Sequence, residues 1–151
     1  MLLCLDNILS EQMKAYRVNL NPYAEALVKS PIRCPATEIV HMYFPKSHSQ
    51  DSQDKVAESV KSFMTVLETK ASGYLGFSAG WVDGIANIPE TNEQGLAYLL
   101  LVGWTSVEAH QKFTTCKTFE ENIHLVLGLP DLRKIEVVHT NLIGIDRNCH
   151  L

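Results

Sequence analysis

The chain has 151 residues, 46% hydrophobic and 20% charged, enough for one domain of ordinary size with a real core. Seventeen acidic residues against 13 basic give a formal charge of −4 with no basic cluster, which argues against a nucleic-acid partner. No stretch is apolar for long enough to span a bilayer, so no membrane partner is expected.

The four cysteines, Cys4, Cys34, Cys116 and Cys149, are scattered without CxxC or metal-ligand spacing and read as reduced thiols of a cytoplasmic protein. The opening MLLCLDNIL has no basic region before its apolar run, and Asp6 interrupts it, unlike a secretory leader. Residues 1–35 read as a helical N-terminal extension, with Leu9, Met13, Tyr16 and Leu20 at helix spacing. Ser30-Pro31 and Cys34-Pro35 force an extended linker, because proline disfavours the helical region in the residue before it. The compact domain is expected over 36–146, followed by a tail at 147–151.

Thr37 to Phe44 reads as a strand stopped by Pro45, and Ser47 to Gln53 as a polar loop. Asp54 to Lys70 is the clearest helix, with Val56, Val60, Phe63, Met64 and Leu67 on one stripe. Gly73 to Asp83 is a strand with Leu75, Phe77, Ala79 and Trp81 on one side. Gly76, Ser78 and Gly80 form a face so small that a ligand or a partner's backbone must approach it. After a loop from Gly84 to Gly95 comes the strand Leu96 to Trp104, non-polar at every position through Val102, so both of its faces must be covered. Helices follow at about Ser106 to Thr114 and Thr118 to Leu127, then a last strand from Arg133 to Ile145.

The order β-α-β-β-α-β is the ferredoxin-like plan, an α+β fold in which helices cover one face of a four-stranded antiparallel sheet. Ile39, Tyr43, Leu99, Leu101 and Val137 or Val138 make the second face apolar as well. Two copies packing face to face, a homodimer, are the simplest cover.

The run GWTSVEAHQKF at Gly103–Phe113, FEENIH at Phe119–His124, and the segments TEIVHMYFP, GYLGFSAGWV and EVVHTNL resemble the dimeric α/β-barrel superfamily. Within it the likeness is to the antibiotic biosynthesis monooxygenase (ABM) domains of fungal proteins, over about Thr37 to Leu142. The resemblance implies a cofactor-free enzyme of secondary metabolism, a monooxygenase, cyclase or lyase, acting on a hydrophobic aromatic or polyketide-like substrate in the barrel cavity. It also allows a non-catalytic ligand-binding or stress-related dimer. At the positions that carry histidines and a tyrosine in a plant polyketide cyclase of the superfamily, this chain has Glu38, Tyr98, Phe113 and Phe119, so that enzyme's polar set is not reproduced.

Strand parity sorts the candidate site residues. Glu38, Val40, Met42 and Phe44 share the helix-facing side, and His41 points to the other. Tyr98 and Trp104 also fall on the helix side, offering a hydroxyl and an indole N–H to a substrate among apolar walls. Met42, Trp81, Phe113 and His41 are further wall candidates, though Trp81 also reads as a core residue and His41 as an interface residue. His110 lies on the buried stripe of its helix with Val107 and Phe113, where a neutral imidazole can act as general base; Glu38 and His139 are the alternative bases. A structural histidine is the competing reading for each. His48 and His150 sit in polar segments and are expected to be solvent-exposed. No His-x-x-x-His, nucleophile elbow or phosphate loop is present, so neither a metal nor another cofactor is expected.

Overall fold

A computed structural model describes residues 17–21 and 34–140. Its elements are β1 (Ala36–Pro45), α1 (Gln50–Lys70), β2 (Tyr74–Trp81), β3 (Ala86–Asn87), β4 (Gln94–Trp104), α2 (Val107–Thr114), α3 (Lys117–Asn122), α4 (His124–Leu127) and β5 (Lys134–Thr140). The sheet runs β2-β4-β1-β5, antiparallel at every pairing, with β3 extending the β2 edge alongside β4. This is the ferredoxin-like α+β fold, with five strands where the sequence predicts four. The extra one is a two-residue pairing inside the expected loop, made by Ala86 and Asn87 against Gly95 and Gln94.

α1 begins at Gln50, inside the predicted polar loop, because the Ser49 side chain accepts a hydrogen bond from the Ser52 amide and caps the first turn. Its buried stripe is the predicted one and lies on the sheet face formed by Val40, Met42, Phe44, Leu100, Val102 and Trp104. The single helix predicted over Thr118–Leu127 is two short ones that meet at Ile123.

β2 departs from simple alternation. Tyr74 pairs with Trp104 and Gly76 with Gly103, so Leu75 is skipped in a bulge where Gly76 adopts φ 140°. Tyr74 therefore packs edge-on to Trp104 at 6.1 Å, and Leu75, expected beside Phe77, is exposed.

At Gly80 the small face of β2 is approached closely by the chain itself. Asn21 exchanges backbone hydrogen bonds with Ala79, and the Asp83 amide donates to the Arg17 carbonyl. A Cβ at Gly80 would overlap the Asn19 carbonyl oxygen, so only glycine allows this strap to lie there. Residues 17–21 are thus extended, which corrects the helical reading at this point; the rest of 1–33 and the predicted tail lie outside the described residues. Val18 packs with Tyr43, Val82, Ile88 and Ala97, and Leu20 with Cys34 and Leu101, covering the β2–β4 half of the second sheet face. Towards β5 that face stays open, with Val138 exposed. Among the described residues no helix is long and apolar enough to cross a membrane.

Candidate active site

A cavity of about 310 Å³ lies between the sheet and the helices. Its floor is Glu38 and Val40 from β1, Leu100, Val102 and Trp104 from β4, and Ile135 and Val137 from β5. Phe63, Met64 and Leu67 of α1 close one side, and His110, Phe113, Phe119, Ile123 and Val126 close the other. Apart from the Thr114 hydroxyl, the walls are apolar except at one corner, where Glu38, Trp104 and His110 meet.

The local chain path makes that corner. β4 ends at Trp104, Ser106 caps α2 by accepting from the Ala109 amide, and the first turn of α2 folds the imidazole of His110 back over the indole, with ring centroids 5.0 Å apart. Across the sheet, β1 sets Glu38 opposite both Val102 and His139. The Trp104 Nε1–H donates to Glu38 Oε2 at 3.1 Å, and His110 Nε2 stands 3.5 Å from the same oxygen. The other ring nitrogen of His110, Nδ1, is 2.7 Å from His139 Nε2. All three candidate bases therefore cluster, His110 of α2 touching both Glu38 and its cross-strand neighbour His139, the exposed residue on β5.

Burial shifts the proton affinities of Glu38 and His110. The Glu38 side chain is 12% exposed and that of His110 is 13%. Desolvation pushes the Glu38 carboxyl above its ordinary value, partly offset by the indole hydrogen bond and by His139. Desolvation, aided by His139, pulls His110 down to about 4, so its ring is neutral at physiological pH.

The remaining candidates divide. Phe113 lines the cavity beside Trp104. Tyr98, Trp81 and Met42 do share the helix-facing side, but they lie at the other end of it and are not cavity walls. Tyr98 is six residues before Trp104 on the same strand, about 20 Å at ~3.3 Å per residue. There Tyr98 packs edge-on to Trp81 at 5.0 Å and Met42 is fully buried. Burial pushes the Tyr98 hydroxyl up to about 12, a neutral core group. His41 is on the opposite face, stacked with Tyr43 at 6.2 Å.

His48, expected in solvent, is instead buried. The turn after β1 tucks its ring onto Phe44 at 4.8 Å and near Trp81, with Nδ1 3.9 Å from Asp131. A lone histidine in a polar stretch carries no pattern that foretells this. Nor does the sequence foretell the contact between His110 and His139, which are 29 residues apart and on different elements. No cluster of three or more metal-ligating side chains occurs among the described residues.

No family model matches the chain, and no curated protein does. Solved structures do. A monooxygenase of Streptomyces coelicolor in complex with the ligand nanaomycin D superposes with a TM-score of 0.52 at 17% identity, over 74% of this chain and 90% of that one. A protein of Arabidopsis thaliana gives 0.49 at 16% identity, over 74% and 99%. A dimeric protein of ferredoxin-like fold from Bacteroides fragilis gives 0.48 at 10% identity, over 72% and 97%. At this level of identity the likeness is one of fold alone.

Proposed function

We propose that the chain is a cofactor-independent enzyme of secondary metabolism that seats a hydrophobic, aromatic or polyketide-like molecule in the cavity and moves a proton at its polar corner. The observation carrying this reading is the convergence of Glu38, Trp104 Nε1 and His110 on an otherwise apolar cavity. A pocket with one polar corner orients a ligand by its oxygenated end and leaves its body to the aromatic and aliphatic walls. The fold likeness to a monooxygenase solved with nanaomycin D agrees with a ligand of this kind.

Glu38 is the base in this scheme. A carboxylate whose proton affinity is raised by burial accepts a proton from an activated C–H more readily than an exposed one, whereas His110, at about 4, is too weakly basic to hold that proton. The resulting carbanion or enolate is the common entry to oxygenation, cyclisation, dehydration and rearrangement. Two copies packing through the open β1–β5 half of the outer face, at Ile39 and Val138, complete the assembly. Cys34 and Cys116 without a disulfide fit a cytoplasmic setting.

Incubation with a panel of anthrones and linear polyketide mimics tests the reading. Turnover that Glu38→Gln reduces by roughly 10²-fold or more is expected. Saturable binding without turnover of any panel member would make the protein a ligand-binding barrel instead.

A further inference from the structure

We infer that His139 is the proton port of the cavity, the outer end of a relay that carries protons from Glu38 through His110 to solvent. This rests on the reading of Glu38 as the group that exchanges a proton with the substrate. The relay is drawn by three positions: a carboxyl inside, an imidazole 3.5 Å from it at Nε2, and a second imidazole 2.7 Å from the first at Nδ1. Only the last belongs to an exposed residue, on the edge strand β5.

Among the described residues nothing else lining the cavity offers this service. Glu38 and His110 are its titratable side chains; the other linings are apolar apart from the Thr114 hydroxyl and the Trp104 indole, which only donates. The groups facing the relay are Trp104 from β4 against Glu38, and the three members themselves from β1, α2 and β5. A proton on Glu38 thus has His110 Nε2 as its neighbouring acceptor.

The passage balances. Glu38 Oε2 gives its proton to His110 Nε2 as His110 Nδ1 gives its own to His139 Nε2, and His139 releases one from Nδ1 to water. The carboxyl returns to carboxylate, each ring ends neutral in its other tautomer, and one proton has left. Reversal, when the product is reprotonated, resets both rings. The low proton affinity of His110 suits a conduit, since a ring that bound the proton firmly would trap it.

The test needs no substrate. In protein labelled with ¹³C, the Glu38 side-chain carboxyl signal is followed through its titration in the wild type, His139→Gln and His139→Thr, each checked for dispersed amide spectra. Glutamine keeps a hydrogen-bonding group at the position but does not take up and release a proton there. The wild type is expected to give one averaged Glu38 signal, and both variants separate or broadened acid and carboxylate signals, with exchange slowed at least tenfold. Millimolar imidazole is expected to restore averaging in His139→Thr. An averaged signal unchanged in both variants overturns the relay, because the proton then reaches Glu38 by another route. A panel without turnover, beside an intact relay signature, would instead overturn the enzymatic reading alone.

Discussion

His110 Nδ1 and His139 Nε2 lie 2.7 Å apart, so the two imidazoles share a single N–H, one ring donating and the other accepting. They cannot both be cationic at that separation, and His139 adds to the desolvation that keeps His110 neutral. The consequence reaches the cavity, since a neutral His110 leaves the negative charge of Glu38 without a full counter-ion and its proton affinity stays high.

Glu38→Gln should therefore separate activity from stability. The folded-state value of Glu38 is raised, so ionisation penalises the folded protein as pH climbs through it, and wild type is at its best relative to the glutamine variant in acid. Thermal melts of both proteins from pH 4 to 8 should show the variant gaining on wild type with rising pH. A gap that is constant with pH would contradict the assignment.

His110 acts with the opposite sign. Its folded value is near 4 against about 6.5 for a free histidine, so the unfolded chain takes up a proton that the folded one refuses, and stability is lost as pH falls from about 6.5 to about 4. His110→Gln should flatten the wild-type fall in melting temperature across that window. An equally steep fall in the variant would place the effect elsewhere.

Trp104→Phe removes the N–H donor to Glu38 and leaves a buried carboxylate short of one partner. A loss of about 1–3 kcal/mol in denaturant unfolding is expected, together with a further rise in the Glu38 value. Tyr98→Phe, at the far end of the sheet, should leave turnover of any accepted substrate unchanged. A large loss of turnover there would return Tyr98 to the site.

Sedimentation or light scattering at micromolar concentration should give about twice the chain mass, and Val138→Lys on the open half of the outer face should shift the protein towards monomer. A wild-type monomer would sink the face-to-face arrangement.

The sheet and its helix-facing side were legible because strand parity and helix periodicity are strong local signals. Val40, Met42 and Phe44 on β1 and the Val56–Leu67 stripe of α1 lie where those periods put them. A period of two puts Leu75 beside Phe77, but a bulge at Gly76 breaks it, and no pattern in YLGFSAGW marks which glycine bends. Glu38, His110 and His139 were each visible as candidates, yet their clustering was not, since it depends on the Ser106 cap and on the pairing of β1 with β5. Parity also placed Tyr98 on the right face while saying nothing of where along it the cavity opens.

The strap at residues 17–21 moves the boundary of the folding unit. Prolines and composition mark Ala36 as the start of the compact domain, but a chain cut there would leave the Ala79 N–H and C=O on β2, and the Asp83 N–H just after it, unpaired. It would also strip Val18 and Leu20 from Val82, Ala97 and Leu101. The shortened chain would carry a bare sheet edge beside newly wetted apolar side chains, the combination that recruits strands from neighbouring molecules, so the segment before the domain works as a built-in guard against aggregation.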